Sequence, residues 1–215
     1  MITENLTMSS SIKKMLVDLS DKSIQYGLKN EFNIIAHNLI PNFEIIEANK
    51  TALNDLFVYF HGNTGTFDIK KGIYMFGNFG CGKTSIFGLF SKYLSIYFPF
   101  SGYGFGNVSI EEVVDEYKKT NSIEKYVISE NTGKPFRLCL HEIGKEIDEK
   151  HYGTSINQVI NSLMMRRYEI FQKYGTVTHV TSNFHPRALK CFDNAVIDRM
   201  KEMFNFVEWK GESFR

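Results

Sequence analysis

One eight-residue stretch constrains this chain more than any other. Gly77-Asn78-Phe79-Gly80-Cys81-Gly82-Lys83-Thr84 stands directly after the apolar run Ile73-Tyr74-Met75-Phe76 and directly before a helical pattern from Thr84 to about Tyr97. The spacing is G-x-x-x-x-G-K-[ST], in the strand-to-helix context that gives it meaning. Its glycines let backbone N–H groups turn inward around the β- and γ-phosphates of a nucleotide, at a helix N-terminus whose dipole already favours anions. Lys83 supplies a point charge for those phosphates and Thr84 a hydroxyl ligand for Mg2+, with Ser85 completing the set. The loop predicts a binding site for ATP and Mg2+.

The rest of the chain alternates strand and helix signals. Ile12, Leu16, Leu19, Ile24 and Leu28 recur at near-helical spacing, which predicts an amphipathic helix, or a helix and a turn, over 11–28. Pro41-Asn42 marks 32–46 as a connector with short extended pieces, and the boundary is placed there. Thr51 opens a helix to about His61, stopped by Gly62-Asn63. Strands are predicted at 73–76, 105–108, 138–140 and 177–181, and helices at 110–119, behind the capping box Ser109/Glu112, and at 154–174, closed by Gly175. The expected class is α/β with a mainly parallel sheet.

Composition narrows the function classes. At 215 residues there is room for one full domain and an appendage. A net charge of +1 gives no global field toward nucleic acid or an anionic membrane, so polyanion contacts must be local or built by assembly. Cys81, Cys139 and Cys191 are odd in number and lack C-x-x-C spacing, against a disulfide framework or a zinc site. No run approaches the roughly 20 apolar residues of a membrane helix, and the polar start lacks a leader's apolar region. The expected setting is the cytoplasm, with no membrane partner.

Beyond the loop, Arg137-Leu138-Cys139-Leu140-His141-Glu142-Ile143-Gly144 ends an apolar strand on His141 where a P-loop ATPase carries a metal-holding Asp. A neutral imidazole suits Mg2+ poorly; His141 as an ordinary strand-end residue and His141 as a softer metal ligand both remain open. Glu142 is the candidate general base. Thr178-His179-Val180-Thr181-Ser182-Asn183 closes on an amide able to orient a water. Val196-Ile197-Asp198-Arg199-Met200 sets an arginine in an apolar helical segment, and Gly211-Glu212-Ser213-Phe214-Arg215 holds another. The remaining histidines show no metal spacing and read as structural.

With these pieces in this order the sequence resembles the DnaC/IstB-type branch of the AAA+ ATPases, replicative helicase loaders and transposition helper ATPases. The resemblance runs from about Asn49 to Arg215 and rests on GNFGCGKT, LCLHEIGKE, RRYEIF before THVTSN, and VIDRM before GESFR. It implies a P-loop AAA+ core over 49–215 with a minimal C-terminal lid, and a short helical segment over 1–48 that grips a partner. Lys83 and Thr84 become Walker A residues, Glu142 the Walker B glutamate and Asn183 sensor 1. Arg199 becomes an arginine finger that reaches a neighbouring subunit, and Arg215 sensor 2. The implied partners are a hexameric helicase or a transposase, single-stranded DNA and further copies of the chain.

Two classes of function compete. One is an ATPase that loads helicase. The other is an ATP-bound scaffold or regulator, disarmed by His141. A small-molecule P-loop kinase fits the loop and the length, but it should carry an arginine-rich lid that this chain lacks.

Overall fold

A computed structural model of the chain describes residues 17–144, 150–190 and 192–211. In chain order the elements are α1 (Lys22–Leu39), α2 (Glu47–Phe60), β1 (Gly72–Phe76), α3 (Lys83–Tyr97), β2 (Gly106–Ser109), α4 (Ile110–Thr120), β3 (Leu138–Ile143), β4 (Lys150–His151), β5 (Thr154–Ser155), α5 (Ile156–Tyr174), β6 (Thr178–Ser182), α6 (Asn194–Met203) and β7 (Phe204–Glu208). Five strands form one sheet in the order β2-β3-β6-β1-β7, with every pairing parallel. The antiparallel pair β4/β5 stands apart and leads into α5.

Period-2 alternation sends successive side chains to opposite faces, and both faces are covered. From β1, Ile73 and Met75 join Phe32 of α1, Phe57 of α2 and Phe90 of α3. Tyr74 points the other way, to Val113 of α4, Leu163 of α5 and Met200 of α6. Burial on both sides is why the inner strands are apolar throughout. Much of the phenylalanine content lies in the first of these layers, where Phe60 packs 4.4 Å from Phe90 and 5.5 Å from Phe105.

The N-terminal region differs from the expectation of a helix over 11–28 and a connector over 32–46. Residues 1–16 lie outside the described residues, and the helix that follows is α1. Its start is set by Asp21, whose carboxylate accepts from Ser23 N at 2.8 Å, so capping chemistry outweighs apolar spacing. It continues to Leu39 because Phe32, Ile35 and Ala36 form a buried i, i+3, i+4 stripe. Pro41 stands beyond its end rather than inside it. Elsewhere the capping box of α4 is present, with Ser109 N donating to Glu112 at 2.7 Å. Gly175 ends α5 in the left-handed conformation, φ 64°. β7 has no counterpart among the sequence expectations.

Candidate phosphate-binding site

The loop between β1 and α3 lies at the carboxyl ends of the parallel strands, where open α/β sheets place their ligands. Its glycines are required by contact as well as by conformation. Gly77 has φ 156°, and a Cβ there would sit 2.0 Å from Trp209 O. Gly82 adopts the left-handed conformation, φ 89°, immediately before the first turn of α3. Trp209, just past β7, braces the loop from below: its N donates to Phe76 O at 2.7 Å and its Nε1 to Cys81 O at 3.0 Å.

Lys83 is buried at the start of α3. Its Nζ donates to Gly77 O at 2.9 Å, Asn78 O at 2.6 Å and Asn183 Oδ1 at 2.9 Å. All three acceptors are neutral, so these bonds can be exchanged for stronger ones to an incoming anion. A cavity of about 410 Å3 opens over the loop, lined by Lys83, Thr84, Ser85, Glu142 and Asn183, with Phe43 and Ile46 on its apolar side. Phe79 stands exposed at the tip of the loop. The cavity thus unites a cation, hydroxyls, a carboxylate and a carboxamide around the glycine loop.

Glu142 is exposed to this cavity at a bulge where β3 slips register against β6. Its φ is 64°, unusual for a residue with a side chain. The strained backbone is held by its own N–H, which donates to Thr181 Oγ1 at 3.1 Å.

His141 is placed differently from the metal position considered in the sequence. It is buried, absent from the cavity lining, and engaged at both ring nitrogens. Nδ1 lies 3.2 Å from Thr181 Oγ1 and Nε2 lies 3.0 Å from Asn107 Oδ1. The network assigns the tautomer: Asn107 Oδ1 only accepts, so Nε2 carries the proton. Thr181, already accepting from Glu142 N, then donates to Nδ1. Burial pushes the imidazole pKa down to about 4, keeping the ring neutral. In this arrangement the lone pair of Nδ1 faces Thr181 rather than the cavity. Mg2+ prefers oxygen ligands, and the hydroxyl of Thr84 on the same cavity fits such an ion.

Arg199 does not line this cavity. Its Nη1 donates to Ala195 O of its own helix at 2.9 Å, and its guanidinium lies 5.4 Å over the Tyr168 ring. Arg215 lies outside the described residues. Sequence reasoning missed Trp209, Thr181 and Asn49. Asn49, buried in α2, exchanges two hydrogen bonds with the Lys210 backbone, at 2.6 and 2.9 Å. These fix the segment before α2 against the chain leaving β7, so both walls of the cavity are tied together.

No family model matches the sequence, and no curated protein matches it. Solved structures do match in fold. The crystal structure of the DnaC helicase loader aligns with a TM-score of 0.59 at 17% identity, covering 80% of this chain and 96% of that one. DnaI aligns with a TM-score of 0.55 at 17% identity, covering 86% and 93%. The replication initiator DnaA bound to AMPPCP and single-stranded DNA aligns with a TM-score of 0.55 at 17% identity, covering 81% of this chain and 51% of that one. The chain shares the fold of the DnaC helicase loader: a mainly parallel five-stranded sheet flanked by helices, with the glycine loop after β1.

Proposed function

We propose that this chain is an ATP-binding AAA+ protein of DNA replication, acting as a loader of a hexameric replicative helicase. The observation that carries the reading is the grouping of Lys83, Asn183 and Glu142 on one cavity over a glycine loop. The fold shared with DnaC and DnaI supports the loader role, and the AMPPCP and single-stranded DNA held by a DnaA of the same fold support the ligands.

In this reading the P-loop amides and Lys83 take the β- and γ-phosphates of ATP. Lys83 gives up the carbonyls of Gly77 and Asn78, a neutral-to-anionic exchange that strengthens each bond. The base lies against Phe43 and Ile46. Mg2+, held by Thr84 and the phosphate oxygens, would neutralise charge developing on the phosphates. Glu142 accepts the proton of the attacking water, which Asn183 orients once Lys83 has turned to phosphate. Arg199 acts on a neighbouring copy's nucleotide, which requires a homo-oligomer, and Arg215 is the remaining nucleotide contact. Residues 1–48 meet the helicase, in the cytoplasm; a transposase in its place is the IstB-type alternative.

The test is labelled-ATP binding with steady-state hydrolysis, with Mg2+ and with or without single-stranded DNA. Lys83→Ala should abolish binding. Arg199→Ala should keep binding and lose turnover by at least about 100-fold, given the roughly 1,000-fold or greater effect of such arginines. Turnover indifferent to both changes would refute the reading.

A second reading is favoured by one observation, the engagement of His141 where a metal-holding carboxylate is expected. In it the protein binds ATP, assembles and hardly hydrolyses, and its work is done from the bound state. Ordinary Mg2+-dependent hydrolysis by the native chain removes this alternative.

A further inference from the structure

Two arginines lie at the N-terminal end of the sheet, one strand length or about 17 Å from the P-loop, and they are treated oppositely. Arg167, fully buried, is satisfied: it donates to Thr178 Oγ1 at 2.8 Å and to the carbonyls of Tyr126, Phe136 and Val177 at 3.1, 3.0 and 3.3 Å. Arg137, which enters β3, is partly buried with its guanidinium 4.5 Å over the Tyr103 ring. Among the described residues its side chain makes no hydrogen bond and no ion pair. The hydroxyl of Tyr103, itself buried, also has no hydrogen-bond partner among the described residues. Titratable neighbours of Arg137 are Tyr59 and Tyr103, both neutral at physiological pH.

Arg137 lines a cavity of about 650 Å3 together with Lys70 and Thr176, with Phe136 and Tyr174 on its rim. The lining holds these two cations and no carboxylate. Two acids lie outside the lining: Asp68, whose carboxylate accepts from Lys70 N at 2.8 Å, and Glu202, which accepts from Gln172 at 3.2 Å and Tyr168 at 2.8 Å. A guanidinium withdrawn from water without a counter-charge is costly, and its planar fork matches an oxyanion. We propose that this cavity is a second anion site, separate from the P-loop, which holds a phosphate-bearing ligand on Arg137 with Lys70 beside it. Phosphate is favoured over a single carboxylate because the lining holds two cations and a hydroxyl and no acid of its own. The phosphate belongs either to a free phosphate ester or to a single-stranded nucleic acid, chemically the same group at this site.

The experiment titrates pyrophosphate by calorimetry, and a short labelled oligothymidylate by anisotropy, into the native chain and into Lys83→Ala. Each is repeated with Arg137→Gln, Arg137→Lys or Lys70→Gln added. Binding that survives Lys83→Ala and weakens about tenfold or more with Arg137→Gln, with partial retention in Arg137→Lys, supports the site. Pyrophosphate alone surviving identifies a free phosphate ester, and oligothymidylate surviving identifies a nucleic acid strand. Lys70 is exposed, so Lys70→Gln keeps the test open if Arg137→Gln does not fold; it should weaken binding severalfold. No binding to Lys83→Ala, binding indifferent to Arg137→Gln and Lys70→Gln, or binding of a glutamate-rich peptide in place of both probes would overturn the proposal. Because ATP binding is lost with Lys83 and this site with Arg137, the two readings fail separately.

Discussion

Acidification from pH 7 to pH 5 should destabilise this fold by an amount two histidines set. His61 is fully buried, with Nδ1 donating to Phe57 O at 2.7 Å and Nε2 accepting from Tyr93 Oη at 2.9 Å. Burial holds its pKa down at about 4, as it does for His141. A base whose folded pKa is depressed is bound by more protons in the unfolded chain, so stability is full above the unfolded value and is lost as pH falls toward the folded one. The window is therefore from about 6.5, the unfolded histidine value, down to about 4. At pH 5, one unit above the folded value and 1.5 below the unfolded one, linkage gives a loss of about 2 kcal/mol per histidine, or about 4 kcal/mol for the pair.

Urea denaturation followed by circular dichroism reads this directly. With a slope of about 2 kcal/mol/M, the midpoint should fall by about 2 M between pH 7 and pH 5 with the slope unchanged. His61→Gln and His141→Gln should each remove about half of that pH dependence, and the double variant should remove it. The exposed carboxylates Asp18, Asp21 and Asp198, held below their ordinary values by hydrogen bonds from Ser20, from Ser23 and from Lys201, lose their contribution only at lower pH. Equal midpoints at the two pH values, or a drop that persists in the double variant, would show the linkage reasoning to be wrong.

Trp209, the single tryptophan, touches the P-loop through Cys81 O. Its emission should change as ATP or ADP is titrated and stay flat in Lys83→Ala; a flat trace in native protein that binds labelled ATP would contradict the described loop contact. Arg167→Met leaves the carbonyls of Tyr126, Phe136 and Val177 without their donor. It should cost about 3–5 kcal/mol of unfolding free energy, measured as a lower urea midpoint, and a loss under about 1 kcal/mol would refute the bracing role.

What the sequence made legible is what is chemically local. Glycines 77, 80 and 82 with Lys83 and Thr84 announce a phosphate turn within eight residues, and Ser109 with Glu112 announces a helix start within four. The inner strands were visible because burial on both faces leaves apolar runs. β7 was not, because an edge strand reading Phe204-Asn205-Phe206-Val207-Glu208 carries only partial burial, and its identity as a strand comes from pairing with β1. Trp209 and Asn49 act on partners more than a hundred residues away in sequence. α1 was misplaced because apolar spacing runs through residues 12–28, whereas Asp21 decides where hydrogen bonding begins. Arg137 and Arg167 look alike in sequence; only the fold gives acceptors to one and withholds them from the other.

His141 shows how a sequence departure can be structurally complete. A carboxylate at this position would face Asn107 Oδ1 and Thr181 Oγ1 as an acceptor, and Asn107 would have to turn its amide to meet it. The neutral ring instead offers one donor and one acceptor, which close a chain from Glu142 N–H through Thr181 to His141 and on to Asn107. That chain spans β6, β3 and β2, and its free end is the backbone of Glu142, held at φ 64° where a side chain costs roughly 1–3 kcal/mol. His141 thus secures the placement of the cavity carboxylate, with both of its own ring nitrogens engaged on Thr181 and Asn107. His141→Asp and Thr181→Val separate this placement from metal-holding. If metal-holding limits turnover, the first raises it and the second leaves it unchanged; if the placement of Glu142 limits turnover, both lower it.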